Sequence, residues 1–204
     1  MVSSINFKWL AVLGCLCVAG LSNADIIYNN FGLGSPSGWV VTYGATVENG
    51  YPWDTGFNTG STAWLLSSIT VDVGWYGGTN NVIVDLIADN NGSPGTVMDS
   101  WELYNLPNFS ELTPQTSINV SSIGLAANTQ YWVGVSAGAP DTLEAWSATD
   151  PAVDGPMALN GSSYQGQQMD LRLDGTAVPE PFTWVSLASG LGLLFARRRR
   201  TAKA

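Results

Sequence analysis

Histidine is absent from the 204-residue chain. That excludes every His-based triad, a His general base and a His metal ligand. Charge is scarce too: 11% of residues are charged, against about a quarter in an ordinary soluble domain. So little charge excludes a solvated disordered chain, a coiled coil and a charged helical bundle. There are two cysteines, Cys15 and Cys17, both near the N-terminus. Basic residues are nearly missing from the middle. Residues 25–178 hold fifteen acids and a single base, Arg172, a net of −14. Such a segment repels phosphate and excludes a nucleic-acid partner. It suits an exported surface domain, or one that gathers cations.

What is present points to strands and turns. Hydrophobic residues reach 45%, enough for a packed core, and 23 Gly and 10 Pro stand among many Asn, Ser and Thr. The length suits one domain plus signals.

The two ends read as addresses. Residues 1–24 have the build of a secretory signal peptide: Lys8, an apolar run from Trp9 to Leu21, then Ser22-Asn23-Ala24 as a small-x-small cleavage site. Cleavage between Ala24 and Asp25 would leave a mature chain without cysteine, hence without disulfide, thiol nucleophile or thiolate metal site. The alternatives are an uncleaved membrane anchor and lipoprotein processing at Cys15. At the other end Val178-Pro179-Glu180-Pro181 precedes an apolar run, Phe182 to Ala196, and then Arg197, Arg198, Arg199 and Arg200. The prolines impose an extended stop. The run predicts a single apolar helix over 182–196, about 22 Å long. That is short of roughly 30 Å of hydrocarbon, a gap that snorkelling arginines and local thinning would cover. The arginines would hold that end in the cytoplasm, with the acidic body outside.

Pro179-Glu180-Pro181, the short apolar run and the Arg cluster together closely resemble the PEP-CTERM sorting signal of Gram-negative bacteria, over residues 178–200. The resemblance implies an exosortase substrate. A membrane cysteine transpeptidase-like enzyme would cut near Pro179-Glu180-Pro181 and pass the body to the envelope or to matrix polysaccharide. The plainer alternative is a tail anchor.

The body, 25–177, alternates apolar and polar residues in short runs between turn clusters. Val82, Val84, Leu86 and Ala88 share one face of a run ending at Asp89. Asp89-Asn90-Asn91-Gly92-Ser93-Pro94-Gly95 is a turn by its chemistry. Further strands are predicted at 26–28, 39–47, 69–73, 96–103, 116–120, 130–136, 143–148, 157–159 and 169–173. About nine or ten short strands, spaced by about 10–14 residues and with no evident helix, predict an all-β, antiparallel two-sheet sandwich, jelly-roll-like.

Several runs carry a second resemblance: Gly56-Phe57-Asn58-Thr59-Gly60 with Trp64 to Val71, Val84 to Gly95, Leu125 to Val133, and Met169 to Gly175 leading into the C-terminal signal. In that order they are similar to the choice-of-anchor R domain, over roughly 40–175. The resemblance implies an exported β domain without an assigned activity, and it brings no catalytic residues.

Candidate chemistry in the body is of two kinds. Aromatic faces stack on sugar rings, and the indole N–H bonds one hydroxyl. Trp132 sits within a predicted strand and Trp64 in the strand-like run to Val71, and both are expected in the core. Trp53, Trp75 and Trp146 lie near turns or strand ends and are the candidate ligand-binding platforms, with Tyr51, Tyr76 and Tyr104 beside them. Core filling is the commoner fate of any single Trp. Carboxylates are the other kind. A glycoside hydrolase needs a pair about 5–9.5 Å apart. Asp85 and Asp89 share a strand face, and Asp141, Glu144, Asp150 and Asp154 fall in a stretch that reads as loop-rich. No pair stands out. Calcium takes Asp and Asn oxygens, so Asp89 and Asn91 are candidate ligands, although the turn lacks the alternating acids and distal Glu of an EF-hand. No other metal or cofactor is expected.

These features predict a non-enzymatic exported protein, sorted by an exosortase-type system through the inner membrane to the envelope or extracellular matrix. Extracellular polysaccharide is the expected associate. A carbohydrate-binding module is the second expectation, and a hydrolase the third.

Overall fold

The computed structural model describes residues 24–31, 44–48, 50–109, 115–148 and 153–179. The signal-peptide residues before Ala24, Trp39, Asp150, Glu180, Pro181, the run 182–196 and Arg197 to Arg200 lie outside them. Thirteen strands are described. In chain order they are β1 (Asp25–Asn29), β2 (Gly44–Glu48), β3 (Trp53–Asn58), β4 (Ala63–Val71), β5 (Val73–Gly77), β6 (Asn81–Asp89) and β7 (Pro94–Tyr104). There follow β8 (Thr116–Leu125), β9 (Gln130–Ala137), β10 (Leu143–Ser147), β11 (Asp154–Leu159), β12 (Ser162–Gln167) and β13 (Leu171–Val178). Among the described residues there is no helix.

The strands form three sheets, ordered β1-β13-β4-β8, β2-β10-β5 and β12-β11-β3-β9-β6-β7. All their ladders are antiparallel. The all-β reading therefore holds, and the arrangement fits a β-sandwich. The division differs from the expected two sheets. The run 69–73 is not one strand: Asp72 interrupts it, so β4 stays in the four-stranded sheet while β5 passes to the three-stranded one. A bridge between Ala148 and Met169 ties these two sheets again.

One core is shared by the three sheets. Ile69, Ile118 and Leu171 come from the first, Val47, Val73 and Trp146 from the second, and Phe57, Val84, Val133 and Met157 from the third. The alternation in β6 works as expected, with Val82, Val84 and Leu86 fully buried. Burial of such side chains contributes about 1.5–3 kcal/mol each. The other face of the six-stranded sheet carries a small cluster of its own, Ile87, Trp132 and Ala158. The Trp132 ring lies over Gly56, where an added Cβ would stand 3.3 Å from its Cε3 and 2.7 Å from Pro156 Cβ. A side chain at Gly56 would collide with Pro156 and press on the indole.

Two hairpins use the same turn chemistry. Asn90 and Ser93 exchange backbone hydrogen bonds around Asn91 and Gly92, whose φ values are +56° and +84°. Asn160 and Gly161, at +49° and +75°, join β11 to β12 between the paired residues Leu159 and Ser162. Left-handed φ at both central positions matches the right-handed twist of the flanking strands.

Candidate functional site

The chain enters and leaves the domain at one place. β1 pairs antiparallel with β13, Asp25 facing Gly175. The first residue of β1 and the last of β13 therefore lie at the same end of one strand pair. Ala24, Asp25, Val178 and Pro179 are exposed there. Ala24 and Pro179 thus lie at the surface of the domain, outside the strand ladders that they adjoin.

The tryptophans divide differently from the sequence reading. Trp146 is fully buried, its indole N–H donating to the Asp170 carbonyl at 3.0 Å. It is a core residue, not a platform, because its face of β10 packs into the core that the three sheets share. Trp53 and Trp75 are half-buried and pack on the main core. Trp75 also donates to the Gly78 carbonyl at 3.1 Å, which occupies its one polar atom. Trp132 is fully buried as expected; Trp64 is half-buried. Among the described residues the exposed aromatics are tyrosines: Tyr51, Tyr76, Tyr104 and Tyr164, with Tyr76 the most open at 70%.

Asp89 has an intramolecular task. Its Oδ1 accepts from Trp132 Nε1 at 2.8 Å and from Gln130 Nε2 at 3.1 Å, and its Oδ2 accepts from Gly92 N–H at 3.0 Å. Asn91, its candidate co-ligand, donates instead to Asn90 Oδ1 at 3.2 Å. The carboxylate thus fastens the hairpin turn to β9.

Of the other acids, Asp141 and Asp154 are exposed, whereas Glu144 is in a strand and inaccessible to solvent. The stretch read as loop-rich contains β10, so these acids do not cluster. The fold instead brings Asp54 towards Asp85. They occupy one row of the six-stranded sheet, with Gly134 of β9 between them. Asp54 Oδ1 leans into the space a side chain on Gly134 would take, 2.4 Å from that Cβ position. Burial first, and the Asp85 charge second, push the Asp54 carboxyl up to about 7. It is 5% exposed, so a sugar has no access to it.

Three further acids are buried without an answering charge. Burial pushes Asp72 up to about 6 and Glu144 to about 7; burial with the Asp72 charge takes Asp170 to about 7. Neither oxygen of Glu144 has a hydrogen-bond partner. Sequence reasoning missed this group, because alternation at 69–73 marks Asp72 only as facing away from the core. The one available signal was the near-absence of bases in the body.

No family model matches the chain, and no curated protein matches it in sequence.

Proposed function

We propose that the chain is the cargo of an exosortase-type sorting system. In this reading it is an exported, non-enzymatic β-sandwich of jelly-roll type, passed through the inner membrane to the envelope or extracellular matrix, where it associates with polysaccharide. The observation that carries the proposal is the fit between the domain and its two expected signals. β1 begins at Asp25, the first residue after the signal-peptide site, and β13 ends at Val178, directly before Pro179-Glu180-Pro181. A cut after Ala24 and one near residue 181 would each leave the strand ladders whole.

Mass spectrometry of the native mature protein tests this. An N-terminus at Asp25 and a C-terminus near residue 181 are expected. A mature chain retaining residues 182–204 overturns the sorting proposal and leaves a tail anchor. Recovery from the cytosol with both ends intact overturns export altogether.

A carbohydrate-binding role is the second reading, and the open rings of Tyr51, Tyr76 and Tyr104 favour it. Aromatic rings of this kind stack on sugars. Retention on a matrix-polysaccharide column, lost in Tyr76→Ala, is the outcome it requires. The hydrolase reading has less support, since each pair of acids that the fold brings together, Asp54 with Asp85 and Asp72 with Asp170, has a buried member.

A further inference from the structure

Three buried side-chain oxygens lie along one row of backbone hydrogen bonds, each without a hydrogen-bond partner among the described residues. Asp72 is the single residue between β4 and β5, Ser147 ends β10, and Asp170 directly precedes β13. The Ser147 N–H donates to the Asp72 carbonyl at 2.9 Å, and the Asp170 N–H to the Ser147 carbonyl at 2.8 Å. Ser147 therefore sits in the fork where β4 and β13, still paired at Val71 and Leu171, part from each other. The chain neighbours Val71, Val73, Trp146, Ala148, Met169 and Leu171 all belong to the main core. Alternation along the strands then turns Asp72, Ser147 and Asp170 together to the opposite face.

There they are buried, at 6%, 0% and 9% exposure. Asp72 Oδ1, Ser147 Oγ and Asp170 Oδ1 have no hydrogen-bond partner. The Ser147 hydroxyl lies beside the Asp72 carboxylate, near enough to favour its charged form but outside hydrogen-bond geometry. The Asp72 charge in turn acts on Asp170. Isolated buried charges of this kind are strongly disfavoured unless paired or bound to a metal. Between residues 25 and 178 Arg172 is the one base, and its guanidinium is engaged with Asp174 at 2.8 Å. Glu144 alternates with Ser147 and faces the core with Trp146, so it stands apart from the row.

We propose that Asp72, Ser147 and Asp170 form a binding site for a hard divalent cation of the calcium class, where β10 enters the fork between β4 and β13. Two carboxylates and a hydroxyl are oxygen donors, which calcium prefers. Residues 25–178 contain no His or Cys to draw zinc or copper. Among the described residues no three carboxylate, imidazole or thiol groups gather, so backbone carbonyls and water complete the shell. A bound cation cancels the repulsion, satisfies the three oxygens at once and pins the four-stranded sheet to the three-stranded one. This site is separate from the Asp89 turn and independent of the sorting proposal.

The full chain, stripped with EDTA, is titrated with calcium chloride by calorimetry and by thermal melting. Saturable binding and a raised melting temperature are expected. Asp72→Asn and Asp170→Asn are expected to melt at or above the stripped parent, because the repulsion is gone. Both are expected to bind calcium at least about tenfold more weakly. Glu144→Gln and Asp89→Asn keep the parent's calcium response. If the Asp variants do not fold, Ser147→Ala supplies the test through weakened calcium affinity. A stripped parent indifferent to millimolar calcium overturns the proposal, as does an undiminished response in the Asp72, Asp170 or Ser147 variants. Stabilisation by acid alone, without a metal response, also overturns it in favour of a shared proton.

Discussion

The indole N–H of Trp132 on β9 donates to Asp89 Oδ1 at the end of β6, 2.8 Å away. This bond satisfies the one polar atom of a fully buried ring and holds the Asn91-Gly92 turn against the sheet. Asp89→Ala would orphan the Trp132 donor and release Gln130 and Gly92. A loss of about 2–3 kcal/mol is expected, since a buried unsatisfied donor costs about 1–3 kcal/mol by itself. Asp89→Asn keeps an acceptor and should lose less. Urea denaturation midpoints at constant slope measure both.

Gln168 ties sheet to sheet in a similar way. Its Oε1 accepts from Tyr28 OH on β1 at 2.5 Å, and its Nε2 donates to the Gly56 carbonyl on β3 at 2.6 Å. The residue is 3% exposed. Gln168→Ala should cost about 2–4 kcal/mol, from two lost bonds and the two groups left behind. Tyr28→Phe removes one of them and should cost about half as much. A variant as stable as the parent would show that water replaces the amide.

Trp146 and Tyr76 should separate core from surface. Trp146→Ala empties a fully buried site and is expected to cost about 3–5 kcal/mol or to prevent folding. Tyr76→Ala, on an exposed ring, should stay within about 0.5 kcal/mol of the parent. Thermal melts of the two variants decide this. Equal losses would mean that Tyr76 is covered in solution.

The pH dependence has a definite sign. Asp54 and Glu144 each titrate at about 7 in the folded protein, against about 4 when unfolded. Between those values the folded state binds more protons, so stability is greatest below about pH 4 for these groups and falls as pH rises through about 7. With EDTA present, the urea midpoint should be higher at pH 5 than at pH 8. Asp54→Asn should flatten that slope, because it removes both the titration and the repulsion by Asp85. A slope of the opposite sign would mean that both carboxyls are ionised and paired in solution. The fifteen acids also lower solubility near their ordinary range, so aggregation must be followed separately from unfolding.

Strands were legible where burial falls on one face. β6 and β9 match the predicted 82–89 and 130–136 closely, because Val82, Val84 and Leu86, and Val133 and Val135, repeat every second residue. β12, Ser162–Gln167, left no such trace: it is an edge strand, largely exposed, and buries no apolar face. The Asn160-Gly161 pair was the available signal for its hairpin. β3, Trp53–Asn58, was hidden because its outward positions are Asp54 and Gly56, chosen to fit beneath neighbours rather than to alternate with them.

Composition alone established that the body has no histidine, no cysteine and almost no positive charge, and short-range alternation established that it is built of strands. Both are properties of residue identity and near neighbours. Which side of a strand meets the core, and which distant residues share a row, depend on pairing between segments. Asp72, Ser147 and Asp170 are scattered along the chain, yet backbone hydrogen bonds line them up in one fork. Trp146 looked open from its place beside a turn and is sealed by the core side chains that the other sheets bring against its face of β10. Only the folded chain could decide these points, because burial is a property of the neighbours a residue acquires and not of the residue itself.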